Sequence, residues 1–131
     1  MFNSNAFDYI NVLDKAADAA WTRNEILANN IANVSTPYYK RQDLNFEDEL
    51  ERALGNSRYV SMDAKVAGLK DKELRARVVD DISGFSYRLD KNNVDIETEN
   101  VMLAANQIKY QGLMAGLNNE FSNLQSVMKS S

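Results

Sequence analysis

The side chains available for chemistry in this sequence are carboxylates, lysines, tyrosines and serines, because the chain holds no His and no Cys. Thiol nucleophiles, Ser-His-Asp triads, zinc sites and thiolate clusters are excluded. Glu47, Asp48, Glu49 and Glu51 form the densest acidic run. Carboxylates so close could hold a divalent cation or supply an acid and a base. That chemistry needs burial or a close charge partner to move a pKa, and the run reads instead as the solvated face of a short helix. Asp80-Asp81 reads the same way, since adjacent residues rarely converge on one atom. Lys65, Lys70, Lys72, Arg75 and Arg77 make the only basic cluster. Asp71 and Glu73 interrupt it, and no aromatic is interleaved for stacking on nucleic acid. A net charge of −4 argues against a nucleic-acid partner as well. The glycines lack phosphate-loop spacing, although Gly112 and Gly116 form a small-xxx-small pair. The expectation is a protein that is not an enzyme and that takes neither metal nor cofactor.

The 131 residues are one domain's worth. Residues 1–39 carry six charges and residues 94–131 another six, whereas 40–93 carry 22, eleven of each sign. Asparagine runs the other way, with twelve at the two ends and four in the middle. An ordinary solvated helix covers its outer face with Lys and Glu. These ends use Asn, Gln, Ser, Ala and Gly there, a surface that is cheap to desolvate and allows close approach.

From about Asn5 to Asn33 the spacing predicts one long helix. Ile10, Leu13, Ala17, Ala20, Asn24, Leu27, Ile31 and Val34 recur at alternating threes and fours, the seam of a left-handed coiled coil with Asn24 as its polar position. Asn5 and Asp8 suit its start. Pro37 demands that it stop. A second long helix follows Asp95, a plausible N-cap, with Glu97 and Glu99 at the positive end of the dipole. Its seam is Leu103, Asn106, Tyr110, Leu113, Leu117, Phe121, Leu124 and Met128. A second row, Val101, Ala105, Ile108, Gly112 and Ala115, lies beside it, so more than one packing surface is implied. Trp21 reads as packing, and so by default do Tyr38 and Tyr39.

The fold class expected is mainly α: an elongated, coiled-coil-like hairpin of long N- and C-terminal helices, roughly 40–50 Å each, with a short irregular middle at its far end. Residues 1–36 form the first helical unit, 37–93 the charged and partly flexible middle, and 94–131 the second helical unit. In the middle, Leu44 to Leu54 predicts a short helix turned inward through Leu44, Phe46, Leu50 and Leu54 and ended by Gly55. Asp71 to Val79 is a helix or an exposed strand. Phe85, Tyr87 and Leu89 alternate as a short strand would. No segment reaches the ~20 apolar residues of a membrane span, and no basic start leads into an apolar stretch as in a secretory signal. The seam residues Ile10, Leu13, Asn24, Leu27, Ile31, Leu103, Asn106, Tyr110, Leu113, Leu117, Phe121 and Leu124 are the candidates for an assembly interface.

Two blocks carry a resemblance. Leu27-Ala28-Asn29-Asn30-Ile31-Ala32-Asn33-Val34-Ser35-Thr36-Pro37-Tyr38-Tyr39-Lys40 closely resembles the N-terminal signature of the bacterial flagellar rod and hook axial proteins. Asn92-Asn93-Val94-Asp95-Ile96-Glu97, then Leu103-Ala104 and Asn106-Gln107-Ile108-Lys109-Tyr110-Gln111, is similar to the C-terminal region of the B-type proximal rod proteins. The Tyr-Gln-Ala-Asn core of rod protein C is absent. The signature residues carried over are Asn29, Asn30, Ile31, Ala32, Asn33, Thr36, Pro37, Tyr39, Lys40, Asn93, Val94, Asp95, Asn106, Gln107 and Tyr110. Where the family usually has Gly, this chain has Tyr38, which leaves the turn conformation open.

The resemblance implies a structural subunit of the proximal rod of the flagellar basal body, in the part that crosses the periplasmic space. Such subunits leave by the flagellar type III export apparatus without a cleaved signal and assemble helically, transmitting torque and enclosing the export channel. Implied partners are other copies of the chain, rod protein C and other rod subunits, the small adaptor at the rod base, the membrane ring protein and the export apparatus. The competing expectation is a cytoplasmic helical adaptor or chaperone that forms a discrete dimer.

Overall fold

Alternating threes and fours make a helix only where no proline or turn residue interrupts them, and the chain has two such stretches. The computed structural model describes residues 5–55, 59–71, 74, 76–82 and 88–130. Helix α1 spans Asn5–Ala32 and helix α4 spans Ile96–Lys129. Between them lie strand β1 (Gln42–Asn45), helix α2 (Glu47–Leu54), helix α3 (Met62–Ala67), a 3-10 turn (Gly68–Asp71) and strand β2 (Arg77–Asp80). The strands pair antiparallel, Gln42 opposite Asp80 and Asn45 opposite Arg77. No described helix is long and apolar enough to cross a membrane.

The long helices form the expected antiparallel hairpin. Ile10, Ala17 and Leu117 are buried together, with Leu13, Tyr110, Leu113 and Leu124 against them. Each seam residue of α1 is buried or half-buried, and Leu27 is fully so. Burying one such leucine stabilises by about 1.5–3 kcal/mol. A side chain at Gly116 would meet Leu13 at ordinary contact distance and one at Gly112 would meet open space, so the glycine pair marks no close helix crossing. Asp95 caps α4 through its Oδ1, which accepts from the Glu97 and Thr98 amides at 3.0 and 3.4 Å. Helix α1 already includes Asn5, so its cap lies outside the described residues.

The middle differs from expectation in three ways. Its described residues fold back along α1 instead of projecting beyond the hairpin: Leu44 and Phe46 bury against Ala19, with Ala16, Ile26 and Leu50 beside them. At the far extent of this return the Tyr9 hydroxyl donates to Asp63 in α3 at 2.7 Å. The cause is apolar demand. Leu44, Phe46, Val66 and Leu69 need cover, and the alanines of α1 offer a low surface for it. Second, Leu44 belongs to β1, and α2 begins only at Glu47; Gly55 ends it at φ 72°, its N–H donating to the Glu51 carbonyl. Third, of the two readings of 71–79, the strand holds over Arg77–Asp80. Phe85 and Tyr87 lie outside the described residues, and Leu89 sits in a turn.

Tyr38 adopts φ 62° in the turn after α1, and its N–H donates to the Asp90 carbonyl at 2.7 Å. An L residue there costs about 1–2 kcal/mol, which glycine avoids. Tyr38→Gly keeps the N–H and is expected to stabilise the fold by about 0.5–1 kcal/mol after glycine's greater unfolded entropy is counted. A thermal melt checks it, and a lower Tm contradicts the strain.

Candidate functional site

The chain turns sharply twice at one end of the hairpin, after α1 and before α4, and both turns are held by side-chain amides. Asn92 Nδ2 donates to the Asn33, Val34 and Thr36 carbonyls at 2.9, 3.1 and 2.8 Å. These lie in the turn that ends α1, where carbonyls lose their helical partners. Asn92 thus caps α1 from across the fold, and its Oδ1 accepts from the Val94 amide at 2.8 Å. Asn30, fully buried, does the corresponding work on β1: Nδ2 donates to the Gln42 carbonyl at 2.7 Å, and Oδ1 accepts from the Gln42 amide at 3.0 Å. Tyr39 Oη also donates to Asn30 Oδ1, at 3.0 Å.

An ionic cluster fills the space between these amides. The Arg41 guanidinium meets Glu99, Asp81 and, at 3.5 Å, Asp43. Arg23 grips Asp43 through Nε and Nη2 at 2.7 and 3.0 Å. Glu99 is buried in α4 and also accepts from Asn30 Nδ2 at 3.2 Å. Asn93 completes the arrangement: Oδ1 accepts from the Arg41 amide at 2.7 Å and Nδ2 donates to the Asp81 carbonyl at 2.6 Å. One lock therefore ties α1, β1, the segment after β2 and the start of α4.

The charges tune one another. Burial pushes the Asp43 carboxyl up, but the Arg23 hydrogen bonds, the Leu44 amide and both guanidinium charges outweigh it and hold Asp43 below its ordinary range. Arg23 is raised above its usual value chiefly by the same bond. Burial lowers Arg41, yet its bonds to Glu99 and Asp81 leave it raised. A carboxyl depressed in the folded state contributes stability that is complete above its unfolded pKa and disappears as pH falls through the folded one. Unfolding in urea is therefore expected to need less denaturant as pH falls from 5 to 3, and Asp43→Asn should flatten that slope. An unchanged slope in the variant contradicts the assignment.

The lock falls where the two recognisable sequence blocks meet, 27–40 from one end and 92–97 from the other, with Glu99 just beyond the second. No protein-family model matches the chain. Curated proteins do. The chain is 36% identical over 124 residues to the flagellar basal body rod protein FlgB of Cereibacter sphaeroides (strain ATCC 17029 / ATH 2.4.9), covering 93% of this chain and 94% of that one. It is 32% identical over 117 residues to FlgB of Bacillus subtilis (strain 168), covering 88% and 89%. The chain belongs to the FlgB family of flagellar basal body rod proteins. Identity to FlgB of Escherichia coli (strain K12) is 29% over 115 residues, covering 82% and 83%.

Of the signature residues, Asn29, Asn30, Asn33, Thr36, Tyr39, Lys40 and Asn93 lie in or around the lock. Asn33 Nδ2 donates to the Asn29 carbonyl and its Oδ1 accepts from Thr36, while Lys40 Nζ bonds the Lys91 carbonyl. Ile31 is half-buried, Val94 is buried, Asp95 caps α4, and Ala32, Pro37 and Gln107 face outward. Asn106 lies farther along: its Nδ2 donates to the Ala20 carbonyl at 2.7 Å and to Asn24 Oδ1 at 2.8 Å. The two seam asparagines thus meet each other. Tyr110 packs on Trp21 with ring centroids 5.6 Å apart.

Of the interface candidates, Ile10, Leu27 and Leu117 are buried, Leu13, Ile31, Leu103, Tyr110, Leu113 and Leu124 are half-buried, and Phe121 is exposed on the flank of the seam. Met128 is exposed as well, past the point where the described part of α1 begins. The second row of α4 is open throughout: Val101 and Ile108 are each 70% exposed, and Ala105, Gly112 and Ala115 face outward with them.

Reading the residues alone misplaced one carboxylate and understated another. Asp81 is not on a solvated face, because Arg41 and Asn93 hold it. Glu99 does more than complement a helix dipole, since its side chain is the buried counter-ion of Arg41. The signal was there: Glu99 stands four residues before Leu103 and continues the α4 seam inward. The acidic run is largely engaged in local pairing, Glu47 with Lys109, Asp48 with Asn45 and Glu49 with Arg52. Burial and the nearby Arg23 lower Lys109. Among the described residues no three carboxylates gather as metal ligands. Of the basic cluster, Lys65 reaches the Gly55 carbonyl and Arg77 is exposed in β2; Lys72 and Arg75 lie outside the described residues.

Proposed function

We propose that this chain is a structural subunit of the proximal rod, exported by the flagellar type III apparatus without a cleaved signal and assembled helically into a tube that transmits torque and encloses the export channel. It would act in the periplasmic part of the basal body without catalysing a reaction. Its neighbours would be further copies, rod protein C and other rod subunits, the rod-base adaptor, the membrane ring protein and, in transit, the export apparatus. In this reading residues 1–36 and 94–131 build the axial core and 37–93 packs on it.

The observation that carries the reading is the open row of α4. A hairpin that buries one face of each helix and leaves Val101, Ala105, Ile108, Gly112 and Ala115 uncovered is suited to neighbours on a second side. The terminal helices would pass a narrow channel poorly ordered, and burial against several neighbours would offset their ordering cost. The Asn24–Asn106 bond would set register, since any slip leaves a buried amide without its partner.

Deleting residues 1–33 in a flagellated host is the test. Loss of motility and of the chain from purified basal bodies is expected. Normal swimming contradicts the proposal, as does a protease-resistant dimer confined to the cytoplasm.

A further inference from the structure

The two ends of the hairpin differ in character. At the lock end Leu89 is fully exposed, and Tyr38 is 71% exposed beside it in the paired turns. Lys40, Arg88 and Lys91 surround them, with Asp90 as the acid among them. Tyr38 and Lys91 both hold positive φ, at 62° and 58°. Backbone in such regions persists where the surroundings enforce it, so the two turns present a fixed shape. At the other end, on the side of the hairpin away from α2, a groove of about 770 Å3 opens between α1 and α4. Phe7, Trp21 and Phe121 make its walls apolar, and Asp14 and Asp18 stand exposed, four residues apart, along its α1 side. No basic residue is among the described residues that line it.

We propose that this groove receives the lock-end turns of a second copy of the chain, Leu89 and Tyr38 entering between the aromatics while Lys40 and Lys91 face Asp14 and Asp18. This rests on the rod reading and specifies one contact within it. The complementarity is twofold, apolar knob to apolar groove and basic rim to acidic rim. The two surfaces lie at opposite ends of one molecule, so the contact is head-to-tail. Such a contact does not close on itself in pairs and propagates from copy to copy, as a ring or as an open filament according to the rotation between neighbours.

The test exploits the absence of cysteine. Full-length Leu89→Cys/Asn118→Cys protein, treated with a short bismaleimide, is expected to give a ladder of multimers, while each single variant stays monomeric. Lys91→Glu alone, or Asp14→Lys with Asp18→Lys, should cut ladder yield about tenfold at low salt, and combining them should restore it. Circular dichroism confirms that each variant is folded. A product that stops at the dimer, a ladder indifferent to the charge reversals, or cross-linking of Asn118→Cys only to a different protein in purified basal bodies overturns the proposal. A chain that makes no ladder yet still enters basal bodies overturns this contact and leaves the rod reading standing. A ladder from a chain that never enters one does the reverse.

Discussion

Arg41→Ala is expected to destabilise the chain by about 3–5 kcal/mol, read as a fall in the urea midpoint at pH 7. The guanidinium is the shared counter-ion of Glu99, Asp81 and Asp43. Glu99 is 1% exposed, and among the described residues its remaining donor is Asn30 Nδ2, at 3.2 Å. Removing the cation leaves a buried carboxylate without its counter-ion. Arg41→Lys should recover part of the loss and no more, because an ammonium cannot reach three carboxylates with a rigid fork. The second arm separates charge from shape. Arg41→Met with Glu99→Met removes both members of the buried pair, so the double variant should be markedly more stable than Arg41→Ala. If Arg41→Ala costs under 1 kcal/mol, the cluster is wetter than described and the lock is not ionic.

Asn92→Ala is expected to cost about 2–3 kcal/mol, since it strips donors from three carbonyls and an acceptor from the Val94 amide. The sharper experiment is Asn92→Asp. The shape is kept, but a carboxylate would face the Asn33, Val34 and Thr36 oxygens with no proton to offer. Asp should therefore be worse than Ala at neutral pH and improve toward acid, where a protonated carboxyl can donate again. Hydrogen exchange gives the local readout: amides just after α1 should lose protection first. A variant in which Asp equals Ala at every pH contradicts the cap.

The hairpin was legible because its signal is redundant. Seven positions of α1 and those of the α4 seam repeat the same spacing, and burial of an apolar stripe against a second helix follows from spacing alone. Phe121 departed from its seam because period matching places a residue on a stripe without saying which side of the stripe the partner covers. The Asn24–Asn106 contact was half visible, as two polar breaks whose pairing depends on helix offset. The lock was legible as a pattern of asparagines but not as a mechanism. Asn92 and Asn30 act on carbonyls and amides far away in sequence, and side-chain-to-backbone bonds leave no periodic trace. Arg41 and Asp81 lie 40 positions apart in the most charged third of the chain, where pairing partners are too numerous to choose among. The return of the middle along α1 was missed for a different reason: an alanine strip looks the same whether it is bare or covered.

The placement of the polar bonds along the hairpin has a mechanical result. Amide and ionic ties crowd the end at Asn30, Arg41, Asn92 and Glu99, while the opposite end is joined through side chains such as Ile10, Leu13, Leu113 and Leu117. Directional bonds resist twisting, whereas greasy contacts let two rods slide. The molecule is thus built like a tuning fork, with directional bonds fixing the angle between its arms at the stem and apolar contact joining them toward the tips, so a wrenching load applied at the stem would travel as rotation of the whole body.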